Sequence, residues 1–359
     1  MCMNCAMTMD ETKLDAFASR FMGMMNDGMT ILMCSMGHRA GLFDAMADGK
    51  PRTSVILAKE TGLHERYVRE WLGAMVAGRI VEREAMTGTY WLPRDHAASL
   101  TRTSGSINLA AFTQYLPHLG GMEDKVLACF RNGGGVPYSE YPRFDEPMSE
   151  DSGQTIVPYM VDTIVPLMPG LHERLSEGIE VLDIGCGTGM ALMQLARAYP
   201  TSRFMGYDLR PEAVAEANWM ARDAGMDNLH FATVDLTDWR EPMAYDWIMA
   251  LDAIHDQARP DKVLRAVRES LRPGGTFLMV DIDLSSEPVE NIDHPMGAMM
   301  YAISCMHCMT VSLAQGGVGL GAAWGVQLAE AMLRYAGFRE IAIHRLPHDT
   351  QNAYFVMQT

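Results

Sequence analysis

The stretch Val181-Leu182-Asp183-Ile184-Gly185-Cys186-Gly187-Thr188-Gly189 constrains the fold of this chain more than any other. Val181, Leu182 and Ile184 form an apolar run that predicts a buried parallel strand. The run stops in three glycines, and a helix-like stretch, Met190 to Ala198, follows. Glycine at these steps permits a tight turn and close approach of backbone to a ligand. Asp183 lies inside the strand end, where a carboxylate is costly to bury without a partner. An acid there suits a ligand carrying positive charge better than a pyrophosphate.

Further strands are predicted in order: Phe204 to Asp208, Leu229 to Val234, Tyr245 to Leu251, and Thr276 to Val280 after the turn Arg272-Pro273-Gly274-Gly275. Asp208 closes the second strand, where an acid can accept hydrogen bonds from ribose hydroxyls. Asp235, with Leu236, ends the third and is placed to meet an adenine edge. An NAD-binding domain is the competing reading, but Ala191 or Leu192 stands where the third glycine of its fingerprint would fall.

The D-I-G-C-G-T-G loop, Tyr207-Asp208, Val234-Asp235-Leu236 and the L-R-P-G-G turn together resemble the class I S-adenosylmethionine (SAM)-dependent methyltransferases over roughly residues 178–359. The resemblance implies a Rossmann-like α/β domain that holds SAM. Its implied contacts are Asp183, Gly185, Gly187, Gly189, Asp208, Leu209, Asp235, Leu236 and Asp252, with Arg143 a candidate for the SAM carboxylate.

Net charge is −16, which argues against broad binding to nucleic acid or acidic membranes. No uninterrupted apolar run reaches the length of a membrane span, and the N-terminus lacks a basic region followed by an apolar core. A cytoplasmic protein is the expectation. Seven cysteines, an odd count, suggest reduced thiols rather than a disulfide frame.

The first hundred residues read as a separate module after a tail of residues 1–20. Residues 22–47 are apolar at helical spacing, with Leu32, Met36, Ala40 and Phe43 on one side. A helix from Thr53-Ser54 to Thr61, a break at Gly62 and an amphipathic helix from His64 to Val76 form a helix-turn-helix pattern. Two short strands, 79–84 and 89–92, complete a resemblance to a winged helix. Residues 20–100 hold ten Lys/Arg and nine Asp/Glu, whereas a groove-reading helix presents a net basic face. The winged helix of small-molecule O-methyltransferases is a dimerisation module, and this chain resembles them in domain order. A homodimer through 21–100 is the expectation, without nucleic acid.

Residues 101–175 read as a helical linker with a soft loop at 132–137. Tyr138 to Phe144, including Tyr141 and Arg143, either covers the ligands or packs between modules. The catalytic domain then spans 176–359. Strand four ends in Asp252-Ala253-Ile254-His255-Asp256-Gln257, and side chains at such a strand end face the ligand crevice. His255-Asp256 resembles the His-Asp of small-molecule O-methyltransferases, which supplies the general base. A helix-capping role is the alternative. Gln257 stands where the family continues with Trp, so the acceptor pocket is expected to differ.

Residues 282–325 are an insertion read as a lid. If 297–313 is a regular helix, Tyr301, Cys305, Cys308 and Ser312 fall on one stripe and His307 lies off it. With Tyr141 and His294 these are the candidate acceptor contacts. The Cys305-Met306-His307-Cys308 run has three readings: a metal site completed by Cys2 and Cys5, a site for a soft nucleophile, or core filling. No bound metal is expected. The sequence-level reading is methyl transfer from SAM to a small molecule, with sulfide or a small thiol ahead of a hydroxyl. A small-molecule O-methyltransferase and a SAM-sensing or DNA-binding regulator without catalysis are the alternatives.

Overall fold

Helix α1 (Glu11–Arg39) starts where Asp10 accepts a hydrogen bond from the Lys13 amide at 3.2 Å, as an N-cap does. The computed structural model describes residues 9–103 and 108–359, so the Cys2–Cys5 tail lies outside the described residues. The chain divides into two units, Met1–Pro117 and His118–Thr359. In the first, α2 (Leu42–Ala45), α3 (Ser54–Thr61) and α4 (Glu65–Ala77) follow α1. Thr53 caps α3, and Gly62 ends it in the left-handed region. Strands β1 (Glu82–Glu84) and β2 (Thr89–Trp91) pair antiparallel as the wing. The buried side of α1 differs from the predicted one: Cys34, Ser35 and His38 are buried while Met36 is exposed. Gly37 explains the rotation, because a Cβ there would stand 2.4 Å from the Trp71 indole. The helix presses its backbone, rather than its bulk, against α4.

The second unit is built on a seven-stranded sheet of order β5-β4-β3-β6-β7-β9-β8. Its strands are β3 (Glu180–Ile184), β4 (Arg203–Asp208), β5 (Leu229–Thr233), β6 (Tyr245–Leu251), β7 (Leu271–Ile282), β8 (Ile341–Leu346) and β9 (Asp349–Gln358). The first five run parallel, and β9 inserts antiparallel between β7 and β8. Alternation along β3 sends Val181 into one core and Leu182 with Ile184 into the other, the period of two expected of a strand buried on both faces. The carboxyl ends of β3, β4 and β6 therefore converge at one edge, where strand order reverses between β3 and β6.

Residues 118–175, the larger part of the segment expected as a linker, lie in this second unit. The loop at 132–137 is anchored at its centre: the Val136 amide donates to Thr310 Oγ1 at 2.8 Å, and a Cβ on Gly135 would stand 2.0 Å from the Thr310 carbonyl oxygen, while Gly133 and Gly134 are exposed. The insertion's glycine run is held in the same way, with the Val318 amide on Ala258 O and the Gly321 amide on His255 O. Close backbone approach, not a free hinge, is what those glycines serve.

Residues 297–314 qualify one expectation and correct another. The segment is long and apolar enough to cross a membrane by length and composition, and half of it is buried inside the unit. It is also not a regular helix: Gly297–Ile303 and Met309–Ala314 are α-helical, but Ser304–Cys308 forms a π-helical turn. That wider turn breaks the predicted stripe and carries His307 to the interior beside Cys308.

Candidate active site

The turn after β3 is held open by its glycines. Gly185, Gly187 and Gly189 all have positive φ, a region that side chains resist. A Cβ on Gly189 would also stand 2.3 Å from the Phe231 ring. The Gly187 amide donates to Asp208 Oδ2 at 2.9 Å and the Arg210 amide to Oδ1 at 2.9 Å, which fixes the carboxylate at the end of β4. Arg210 in turn pairs with Asp208 and Asp145.

One cleft collects most of the predicted cofactor residues. Asp183, Gly185, Gly187, Asp208, Leu209, Asp235, Leu236 and Asp252 line it, along with Asp256. Gly189 stands behind the lining as the start of the next helix. Arg143 does not join them: it is exposed and bonded to Glu146 at 2.7 Å. The cation in the cleft is Arg210, a residue the sequence reading passed over although it lies two positions after Asp208.

Two features of the cleft test its fit to SAM. Asp183 Oδ1 and Asp252 Oδ1 are buried without a hydrogen-bond partner among the described residues. Burial pushes both carboxyls well above the ordinary range, with the neighbouring charges of Asp208 and Asp281 adding to it respectively. Asp252 is further held at φ +50°, a conformation that non-glycine residues adopt at a cost and that clusters at functional sites. Unsatisfied acids at two adjacent strand ends suit a ligand bearing an ammonium and a sulfonium.

Beyond Asp252 the chain places a second cluster. His255 is buried, with Nδ1 2.8 Å from Asp281 Oδ1 and Nε2 3.4 Å from Asp256 Oδ1. Asp281 Oδ1 also accepts from Trp324 Nε1 at 2.8 Å and from the Ile282 amide at 2.9 Å. A carboxylate so anchored sets the ring's tautomer, leaving Nε2 to face Asp256. Burial lowers the basicity of His255, but the charges of Asp281 and Asp256 outweigh it and lift the imidazole well above its usual range. Tyr138 donates its hydroxyl to Asp256 Oδ2 at 2.8 Å. Asp256 lines the cleft and His255 stands directly behind it.

The candidate acceptor contacts separate. Cys308 joins His255 and Asp256, the three offering ligand atoms within 4.8 Å of one another. Such a trio could take a metal, but burial first, then Asp256, pushes the Cys308 thiol up to about 12, so it keeps its proton and acts as a hydrogen-bonding neighbour. Tyr301, Cys305, His294 and Tyr141 are not among the cleft-lining residues. Tyr301 accepts from Asn291 Nδ2 at 3.2 Å, His294 Nδ1 accepts from the Met296 amide at 3.2 Å, and Tyr141 donates to the Met306 carbonyl. His307 lines the cleft instead. Asp281 and Trp324 were also missed. An acid closing the apolar run 276–280 is the signal by which Asp281 could have been found, the one used for Asp183 and Asp208.

Family models match both parts of the chain. A Rv2258c-like winged HTH domain covers residues 28–102 and a methyltransferase domain covers residues 175–337. Residues 175–337 thus form a SAM-dependent methyltransferase domain, preceded by a winged helix. Among curated relatives, a fatty-acid O-methyltransferase of Mycolicibacterium smegmatis is 33% identical over 29% of this chain and 38% of its own length. The first such relatives are matched over well under two thirds of their length. Among solved structures, the mitomycin 7-O-methyltransferase MmcR is similar at TM-score 0.72, with 16% identity over 98% of this chain and 100% of that one. Human N-acetylserotonin methyltransferase, solved with SAM, gives TM-score 0.63 with 16% identity over 98% and 99% of the two chains. At such identities the likeness carries the fold.

Proposed function

We propose that this methyltransferase moves the methyl group of SAM to a hydroxyl of a small molecule. The observation that carries the reading is the His255–Asp256 pair, fixed by Asp281 and Trp324 at the edge of a cleft whose other end is lined by Asp183, Asp208 and Asp235. SAM supplies an electrophilic methyl on a sulfonium when bound. Asp208 would hold the ribose hydroxyls, Asp235 the adenine edge, and the unsatisfied Asp183 and Asp252 the cationic methionine end. The backbone at Gly185 and Gly187 lets that end approach.

The acceptor's proton leaves to the His255–Asp256 pair. Asp256 reaches the cleft, and His255 Nε2 lies behind it, 3.4 Å from Asp256 Oδ1. Positioning both substrates in line supplies the remainder of the acceleration. A thiol or sulfide acceptor loses its motive, because Tyr301 and Cys305 lie off the cleft lining and Cys308 is engaged with His255 and Asp256. A screen for S-adenosylhomocysteine (SAH) release over phenols, hydroxy acids, amines and small thiols tests the reading. Hydroxyl acceptors turned over far better than thiols would support it, and the reverse would return the protein to S-methylation. SAM binding without turnover of any acceptor would favour a sensor.

A homodimer through the first unit belongs to the same proposal. Leu14, Phe17, Phe21, Met25 and Met29 are all exposed along α1, at spacings that repeat on one helical face. Exposed apolar stripes of this kind mark association surfaces. Light scattering at micromolar concentration should give twice the chain mass, and Phe17→Glu with Phe21→Glu should halve it. A monomeric wild-type chain would overturn the dimer.

A further inference from the structure

His307 is 1% exposed, yet neither ring nitrogen has a hydrogen-bond partner among the described residues. Buried imidazole nitrogens are rarely left so, because each forgoes its bond to water. The ring's surroundings account for its orientation but not for its nitrogens. Phe144 stacks on it with centroids 3.6 Å apart and planes 15° apart. Tyr141 and Tyr138 meet it edge-on at 4.7 Å and 5.5 Å. The π-helical turn Ser304–Cys308 is what aims the ring inward, and such turns recur at functional sites. His307 and Asp256 both line the cleft, and Asp256 Oδ1 lies 3.4 Å from His255 Nε2. The unsatisfied His307 imidazole thus faces the space next to the proton-accepting pair.

Charge narrows what fills that space. The cleft is lined by six aspartates and one arginine, and that Arg210 is already paired with Asp208 and Asp145. Burial, reinforced by His118 and His255, holds the His307 imidazole down to about 4 against the pull of Asp256, so it adds no positive charge at neutral pH. A carboxylate or phosphate acceptor would meet net negative charge with no free cation to balance it.

We propose that His307, together with Asp256, recognises a second polar group of the acceptor, which selects uncharged small molecules carrying two adjacent hydroxyls or a hydroxyl beside an amine. One group gives up its proton to the His255–Asp256 pair and receives the methyl. Its neighbour hydrogen-bonds to His307. The selection rests on the methyl-transfer reading above, but it is testable without turnover.

The test uses the full chain loaded with SAH. Calorimetry compares catechol with phenol and 2-aminophenol with aniline, on the wild type, His307→Phe and His307→Gln. The wild type should bind the difunctional member of each pair about tenfold more tightly, the discrimination expected when a buried polar group is left unpaired. His307→Phe keeps the aromatic packing and should bring each pair to within about twofold, while His307→Gln retains part of the preference. SAH affinity should be unchanged in both variants, which separates recognition from misfolding. The imidazole ¹⁵N resonances of His307 should shift on binding of catechol and not of phenol. The proposal is overturned if the wild type shows no preference, if neither member of either pair binds, or if His307→Phe keeps the preference. Methyl transfer is followed separately: preferential binding without turnover would sink the transfer reading and leave the recognition role standing.

Discussion

The two ends of the cleft are built differently. The SAM end is made of strand ends and backbone: Asp183, Asp208 and Asp252 project from adjacent parallel strands, and amides of Gly187 and Arg210 fix Asp208. The acceptor end is made of side chains packed on one another: Asp281 and Trp324 behind His255, Tyr138 on Asp256, Phe144 and Tyr141 around His307. A sheet edge holds its geometry by ladder hydrogen bonds shared with neighbouring strands. A packed cluster holds it by volume and by a few buried polar bonds. The first end should therefore fail through backbone strain and lost cofactor affinity, and the second through chemistry with the cofactor still bound.

The largest effect that sharpens this contrast is expected at His255. His255→Ala should lower turnover about 10²–10⁴-fold while calorimetry shows SAM affinity nearly intact; a parallel loss of SAM binding would erase the distinction between the ends. Next comes Gly189→Ala, where a methyl must enter 2.3 Å from the Phe231 ring at φ +76°. Left-handed strain and overpacking together should cost about 2–4 kcal/mol of stability, read by denaturant unfolding with and without SAM. A neutral result there would mean that the loop is not under the constraint its geometry indicates.

Smaller still is Asp208→Asn. It removes one charge from the ribose end and should weaken SAM binding by about 1–3 kcal/mol without moving the pH dependence of turnover. The smallest expected change is a displacement of that pH dependence. His255 must give up its proton to act, and Asp281 and Asp256 hold that proton against the opposing effect of burial. The rising limb of kcat against pH should thus lie above the ordinary imidazole range near about 6.5. Asp281→Asn should move it to lower pH, and a limb that stays put would detach Asp281 from the proton-accepting pair.

How much of this was legible in the sequence follows the same division. The SAM end is written locally, because a strand, its glycine turn and the acid closing the next strand are contiguous residues with distinct physical signatures. The helix-turn-helix was readable for the same reason: Gly62 and the caps at Thr53 and His64 are local signals. The acceptor end depends on residues far apart in the chain. Tyr138 meets Asp256 across 118 positions and Val136 meets Thr310 across 174, and no periodicity announces such pairs. Strands β8 and β9 escaped as well, because β9 is buried along almost its whole length and so lacks the alternation that marks a half-exposed strand. His307 was misplaced because a helical wheel assumes 3.6 residues per turn throughout.

The wide turn at Ser304–Cys308 carries an evolutionary consequence. Each residue of an α-helix advances the direction of its side chain by about 100°, and a π turn amounts to one additional residue held in the helix. Deleting a single position there would restore the regular winding, leave later side chains such as Val311 near their present bearing relative to Tyr301, and re-aim or remove the side chains of the turn itself, His307 included. Specificity at this end of the cleft can therefore change by length as readily as by substitution. Homologues that differ here by one inserted or missing residue would be expected to take different acceptors even where the surrounding letters agree.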